Sequence, residues 1–410
     1  MIKKIKPSEL VLGMYIHSLN ADWSKHPFFR KRFLIKTEDQ LQKIIDLDLP
    51  LIDIDTDKGL DVAPPPPLST PESVPPPQAQ PAPSTPTLPD KQRRRILPPE
   101  KISLRGEMTR ARNIYGEASV TVQSMLIDAR LGRPIELERM QPTIAAITGS
   151  VLRNPDAMIS LFRVKQADKH TFQHSVAVST LLVAFGQTLQ LDRDLVEQAA
   201  LGGLMHDIGK VKLPSYILAK PGKLTEAEYK LMQRHVEYGL DLMCNATGLS
   251  SVVLDVVGQH HERIDGSGYP YRLRGEELSI YGQMAAIVDS YDAMTSDSAY
   301  QRHREPTEAL QLLMEKSDRH FKPELIQHFI RSLGIYPVGS LVRLESEHLA
   351  VVIEQRREDL LRPKIRAIFS IRAEGFITPK DIDLAAPGSA DRIVGFENPL
   401  RWKIDPRRFI

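Results

Sequence analysis

The sequence predicts a mainly α-helical protein with a small α+β module at its N-terminal end and a short strand-rich tail. Three observations point there. From about Gly106 to Leu333, apolar residues recur at the three- and four-residue spacing of helices that bury one face. Between Ala63 and Pro99 stand 14 of the 31 prolines, which set a first stretch of about 60 residues apart. Beyond Gly334 the period shortens to the alternation of strands.

Bulk composition excludes several classes. A chain of 410 residues exceeds one ordinary domain, and 41% hydrophobic with 26% charged residues suits a soluble protein able to bury a core. Lys and Arg number 54 against 52 Asp and Glu, so the net charge of +2 gives no support to a protein that coats DNA. The single cysteine, Cys244, rules out an intramolecular disulfide framework and any four-cysteine metal site. Met1 to Lys6 are not followed by an apolar signal-peptide core. The longest apolar stretch, Val176 to Phe185, is broken by Ser179 and Thr180 and is too short for a membrane span. These features predict a cytoplasmic protein that binds neither DNA nor membrane.

The elements follow in order. In residues 1–62, Leu10 to Leu19, Arg32 to Ile35 and Leu51 to Asp55 read as strands. Thr37-Glu38-Asp39-Gln40 is a capping-box pattern that opens a helix through Ile45. Residues 63–99, with Pro64 to Pro67 and Pro75 to Pro77 in unbroken runs, form a semi-extended linker, since proline lacks the amide donor and fixes φ. Residues 100–334 are helical over Gly106 to Arg130, Pro142 to Arg153, Ser175 to Leu189, Leu195 to His206, Thr225 to Met243 and Thr307 to Lys316. Thr225 to Glu228 supply a second capping box. Residues 335–410 carry strands over Ser340 to Leu344, Ala350 to Ile353 and Ile365 to Phe369.

Chemistry concentrates in the helical part. Six of the 12 histidines lie between His170 and His261. His206 and Asp207 close an apolar run in Leu204-Met205-His206-Asp207-Ile208-Gly209-Lys210. Adjacent His and Asp at a helix end each offer a lone pair to a metal, and a carboxylate can bridge two ions. Lys210 stands about one turn on, placing its ammonium on the carboxylate's side, where an anion would meet it. A second cluster reads His260-His261-Glu262-Arg263-Ile264-Asp265-Gly266-Ser267-Gly268-Tyr269-Pro270. Neighbouring histidines diverge by about 100° on a helix, which suits two metals, or a metal and a substrate, better than one ion. The glycines of the following turn let backbone approach a ligand. His174, His235 and Asp289 fall on predicted helices, and any one of them alone would read as an ordinary core or surface residue.

Together these residues resemble the HD-GYP family, the cyclic di-GMP phosphodiesterase branch of the HD metal-dependent phosphohydrolases. The resemblance runs from about Gln173 to Leu333. It rests on Gln173-His174-Ser175, His206-Asp207-Ile208-Gly209-Lys210, His235, His260-His261-Glu262, Asp265 to Pro270 and Asp289, in the family's order and spacing. Residues around Leu12-Gly13-Met14-Tyr15 and His26-Pro27-Phe28-Phe29 resemble the short domain of unknown function that often precedes it. The implied fold is an HD-type helical bundle. The implied metal ligands are His174, His206, Asp207, His235, His260, His261 and Asp289, with Asp207 bridging two divalent transition-metal ions, iron first and manganese next. A hydroxide shared by the ions would attack phosphorus and open cyclic di-GMP to linear pGpG, with GMP as a further product. Asp207 and Lys210 would be catalytic. Lys210, Asp265, Gly266, Gly268, Tyr269, Pro270 and Arg302 would bind substrate.

The sequence departs from the family twice. Where some members place a Glu that helps a third metal, this chain has His170, which favours two ions, with His170 left as a variant third ligand because it shares a helix face with His174. After Asp289 the family carries Asp-Arg-Pro-Tyr-Arg or similar, whereas this chain reads Asp297-Ser298-Ala299-Tyr300-Gln301, with Arg302 and Arg304 beyond. The phosphate grip is therefore altered. That change favours the rival reading, a weakly active or inactive cyclic di-GMP sensor or protein-interaction module with a partner such as a diguanylate cyclase. A phosphohydrolase acting on another nucleotide fits Asp265 to Pro270 less well.

Overall fold

The computed structural model describes residues 2–18, 33–35, 38–45, 49–60, 101–162, 170–244, 246, 249–296, 304–317, 319–356 and 358–410. The readings placed on residues 63–99, on His26 to Phe29 and on Asp297 to Arg302 lie outside them. The chain divides into two compact units, Met1–Ile96 and Leu97–Ile410.

In the first unit, β1 (Ile2–Ile5), β2 (Tyr15–Ser18), β3 (Phe33–Leu34) and β4 (Ile52–Asp55) form an antiparallel sheet in the order β1-β4-β2-β3. Helix α1 (Glu38–Ile45) runs through Ile45 as expected, and Thr37 of the capping-box pattern lies outside the described residues. Ile5, Ile16, Ile35, Ile44, Ile52 and Ile54 are buried together, which is how so small a sheet gains a core. The strand expected from Leu10 begins only at Tyr15, because a turn at Leu12–Gly13 interrupts it. Strand β1 had no clear alternation to announce it.

The second unit is a helical bundle followed by a sheet. Helix α2 (Leu104–Arg130) is capped by Ser103, whose hydroxyl accepts from the Gly106 amide at 3.3 Å. It buries Glu107, Ala111, Ile114, Ala118, Val122, Met125 and Ala129, the one-face spacing expected of a bundle helix. Helices α3 (Gln141–Arg153) and α4 (Pro155–Leu161) pack on it. Buried Glu107 pins α2 to α3, accepting from Ser150 Oγ at 2.9 Å and from Arg153 Nε at 2.8 Å.

Helix α5 (His170–Thr188) runs through the middle of the bundle and is buried all round from Ser175 to Phe185. It packs on α2, α6 (Arg193–Met205), α11 (Ile280–Thr295) and α13 (Pro323–Leu333). After α6 come a 3₁₀ segment (Ile208–Lys212), α7 (Ser215–Leu218), α8 (Glu226–Gln233), α9 (His235–Met243) and α10 (Ser251–Gln259). The second capping box forms as expected: Glu228 Oε2 accepts from the Thr225 amide at 2.7 Å, and Thr225 Oγ1 accepts from the Glu228 amide at 3.4 Å. The single helix expected from Thr225 to Met243 is divided at Arg234. The His235 ring takes the Met232 carbonyl that a continuing helix would give to the Val236 amide. Helix α12 (Pro306–Glu315) then leads into α13.

The tail is an antiparallel sheet in the order β8-β7-β6-β5-β9, from β5 (Leu341–Leu344), β6 (His348–Glu354), β7 (Lys364–Ser370), β8 (Gly375–Asp383) and β9 (Ile393–Phe396), with α14 (Pro399–Trp402) after it. Val342, Val352 and Ile365 are buried on one face, and Leu341, Val351 and Ile368 on the other. Burial on both faces explains why β6 reads as an unbroken apolar run. Strands β8 and β9 escaped the sequence reading because β8 is an edge strand with Pro379, Lys380 and Asp381 exposed. Gln355 ties the sheet to the helices by donating its amide to Asp156 Oδ2 at 3.3 Å.

Candidate metal centre

Three helix ends build the centre. The last carbonyls of a helix have no intrahelical donor. Here histidines supply it: His206 Nδ1 donates to Gly203 O at 2.8 Å past the end of α6, and His260 Nδ1 donates to Val257 O at 2.8 Å past α10. His235 Nδ1 donates to Met232 O at 2.7 Å past α8. Each bond lies three residues back in sequence, caps its helix and fixes the tautomer, so that Nε2 keeps its lone pair. Nε2 of His235 and Nε2 of His260 lie 3.2 Å apart, and Nε2 of His206 lies 3.1 Å from that of His174.

Asp207 stands between two groups of donors. Its Oδ2 lies 3.3 Å from His206 Nε2 and 3.6 Å from His174 Nε2, while Oδ1 lies 3.4 Å from His235 Nε2. His174, His206 and Asp207 form one set of converging ligand atoms, and His235, His260 and His261 form another. Asp289 reaches across, with Oδ1 at 3.1 Å from His174 Nε2 and Oδ2 at 3.6 Å from His261 Nδ1. The sequence-predicted ligands are therefore brought together. One expectation is corrected: His260 and His261 do not diverge, and each brings a ligand atom within 4.8 Å of one on His235. Helix α10 ends at Gln259, so the two histidines are not consecutive positions on a regular helix.

The donor set fits divalent metal. Asp207 Oδ1 is buried and accepts no hydrogen bond, a costly state for a carboxylate oxygen unless a cation meets it. Burial and the neighbouring histidines push His260 and His261 well below the usual histidine range. Burial likewise brings His235 down to about 4. Neutral imidazoles are what metal binding requires. Burial would raise Asp207 and Asp289, but surrounding histidines, and Lys210 for Asp207, outweigh it and hold both well below the carboxylate range. His174 goes the other way: burial is overcome by Asp289 and Asp292, which lift it to about 9.

Around this centre the remaining predicted residues take varied places. Lys210 Nζ donates to Asp207 Oδ2 at 2.5 Å and is partly exposed at the rim. The Tyr269 ring lies 4.6 Å from the His261 ring, centroid to centroid, and crosses Tyr229 edge-on at 6.3 Å. Gly268 lies so close to the chain that a Cβ there would fall 2.6 Å from the His261 carbonyl oxygen. Asp265 is exposed, and its Oδ1 accepts from the Ser267 amide at 2.9 Å and hydroxyl at 2.6 Å, shaping the turn with Gly266 at φ +77°. Pro270 is half-buried beside them. Arg302 lies outside the described residues, as do Ser298 and Gln301, and the side chain of His170 is not described. Cys244 is exposed.

Three contributors had no role assigned from the sequence, although Glu262 and Gly209 stand inside its motifs. Glu262 is fully buried and accepts from the amides of Tyr271, Arg272 and Leu273 at 2.6, 3.0 and 3.1 Å, which buckles the loop closed. Gly209 permits the 3₁₀ segment to touch α9. Asp292 accepts from His174 Nδ1 at 2.7 Å, and its only sequence signal was the three-residue step from Asp289.

A helical bundle whose helices and helix ends gather five histidines and two aspartates, one of them with an orphaned carboxylate oxygen, defines an HD-type metal-dependent phosphohydrolase. Comparison with known proteins agrees. The HD domain family matches residues 159–325, and a domain of unknown function matches residues 2–140. A cyclic di-GMP phosphodiesterase of Pseudomonas aeruginosa is 39% identical over 98% of this chain and 94% of its own. A cyclic di-GMP phosphodiesterase of Thermotoga maritima is 31% identical over 42% of this chain and 46% of its own. A 3'3'-cGAMP-specific phosphodiesterase of Vibrio cholerae is 38% identical over 33% of this chain and 26% of its own. The chain belongs to the HD-GYP family, with the accompanying N-terminal domain of unknown function. Among the described residues no helix is long and apolar enough to cross a membrane.

Proposed function

We propose that this protein hydrolyses cyclic di-GMP, opening it to linear pGpG and carrying some product on to GMP. The observation that carries the reading is Asp207, whose two oxygens face separate histidine groups and one of which lacks any hydrogen bond. The near full-length match to a relative bearing that activity supports the choice of substrate. His174, His206, Asp207, His235, His260, His261 and Asp289 would hold two divalent ions, with iron the first candidate and manganese the next. Bound there, the ions supply Lewis acidity toward a phosphoryl oxygen and make water nucleophilic near neutral pH.

The chain's own residues do the rest. Three backbone carbonyls hold the Nδ1 protons of His206, His235 and His260, so none of these rings can rotate its donor away. Lys210 Nζ, at the rim, offers further N–H bonds to a phosphate oxygen while it stays on Asp207. Tyr269 lays its ring beside His261 and narrows the open side, and the Glu262 buckle keeps that loop in place. No side-chain nucleophile is required.

The test is chromatography of cyclic di-GMP and 3'3'-cGAMP after incubation with protein purified without chelator and assayed for metal. Formation of pGpG from cyclic di-GMP supports the reading, and exclusive cleavage of 3'3'-cGAMP would replace its substrate. Ser298 and Gln301 favour the competing reading of a weakly active or inactive sensor. Saturable binding of cyclic di-GMP with no product from metal-loaded protein would establish that one instead.

A further inference from the structure

His174 differs from the three histidines that cap helix ends. His206, His235 and His260 each give Nδ1–H to a backbone carbonyl, whereas His174 gives it to the carboxylate of Asp292 at 2.7 Å. The reason is positional. His174 lies inside α5, where carbonyls are engaged by the helix itself, so a partner must come from another element. Helix α11 provides it. Asp289 and Asp292 stand three residues apart on one face, so that helix meets both nitrogens of the same ring, Asp289 Oδ1 at Nε2 (3.1 Å) and Asp292 Oδ2 at Nδ1. Both members of the pair are buried, with side chains 11% and 3% exposed. Ser296 Oγ, one turn further along, donates to the same Asp292 oxygen at 3.3 Å.

From this we infer that Asp292 is a positioning residue for the metal centre, and that it makes the two ion sites unequal. A carboxylate is a stronger acceptor than a carbonyl, so it fixes the His174 tautomer and raises the basicity of Nε2. The ion on the His174–His206–Asp207 side is then bound more tightly than its neighbour among His235, His260 and His261. This rests on the metal-dependent reading of the site, and it assigns Asp292 no contact with ion or substrate. Partners of this kind commonly change metal affinity by about 10–100-fold when removed.

The experiment uses full-length protein and its Asp292→Ala and Asp292→Asn variants. Each is stripped with chelator, dialysed against graded Mn(II), and measured for bound metal per chain. The native chain is expected to fill its sites in two steps. Asp292→Ala should lose the tighter step, weakening it by about 10–100-fold while leaving the other unchanged. Asp292→Asn keeps an acceptor oxygen and should recover part of the loss. Thermal unfolding of the metal-free proteins separates this from damage to the fold, which would lower the melting temperature without singling out one step. Two unchanged steps in Asp292→Ala, or in Asp292→Asn should the alanine variant not fold, would overturn the inference alone. A native chain that takes up no metal would overturn the metal reading itself, and this inference with it.

Discussion

Gly209 presses against His235 so tightly that a Cβ on it would overlap the His235 backbone oxygen and the Gly239 amide. That contact sets the distance between the Asp207 turn and the helix bearing His235. The 3.4 Å gap from His235 Nε2 to Asp207 Oδ1 depends on it. Gly209→Ala should therefore push two backbones apart, at a cost of about 1–3 kcal/mol or more for overpacking. The melting temperature should fall, and bound metal per chain should fall with it. An alanine variant of native stability and full metal content would show that the segment has room to move.

Much of this centre was legible because its ligands lie in short, ordered motifs. His206-Asp207 and His260-His261 announce themselves by adjacency, and the Thr225–Glu228 capping box formed as read. What stayed hidden depends on where helices stop. His260 and His261 were expected to diverge, and they converge because α10 ends one residue before them. The break at Arg234 arises from a side-chain bond between His235 and Met232, which no periodicity reveals. Asp292 was invisible for a similar reason: its partner is 118 positions away, and only the packing of α5 on α11 joins them. The edge strands β8 and β9 lack the apolar alternation that flags a half-buried strand.

Asp207 and Lys210 touch each other yet should fail differently. Asp207 faces both ligand groups, so Asp207→Ala removes a shared ligand and should cut cyclic di-GMP turnover by at least about 100-fold, with loss of metal. Lys210 meets only the carboxylate at the rim. Lys210→Ala should keep its metal and raise KM by about tenfold, the worth of one charge-assisted bond to phosphate. Metal analysis beside steady-state kinetics checks both. An active, metal-replete Asp207→Ala would refute the role given to that carboxylate.

Asp255 on α10 carries a pH dependence separate from the metal ligands. Burial raises its carboxyl to about 6, against a hydrogen bond with Ser279 that lowers it. A raised acid is most favourable to the fold while protonated, so its contribution is full below the unfolded value near 4 and is lost as pH rises through 6. Asp255→Asn keeps an oxygen for Gln259 Nε2, which donates to Asp255 Oδ1 at 3.1 Å, and removes the half-buried charge. Each tenfold change in acidity between the folded and unfolded chain is worth about 1.4 kcal/mol, so the variant should be more stable than the native chain at pH 8 by about 3 kcal/mol at most. The gap should close below about pH 4. Urea unfolding at several pH values measures it, and a gap independent of pH would reject the assignment.

The altered phosphate grip gives the last prediction. The family's basic residues after the final aspartate are replaced here by Ser298 and Gln301. A charge-assisted bond from Arg to phosphate is worth roughly 1.5–3 kcal/mol, so losing one weakens binding by about tenfold or more. Arg304 is close in sequence, but its Nη1 donates to Glu308 Oε1 at 2.7 Å, one turn along the chain, and that bond would have to be given up. The native protein should therefore show a high KM and slow turnover. Ser298→Arg/Gln301→Arg should lower KM by about tenfold, with the gain shrinking as salt screens the new charges. Both proteins are compared at equal metal content and low ionic strength. If the double substitution leaves KM unchanged while Arg302→Ala or Arg304→Ala raises it sharply, the grip has moved along the chain instead of weakening.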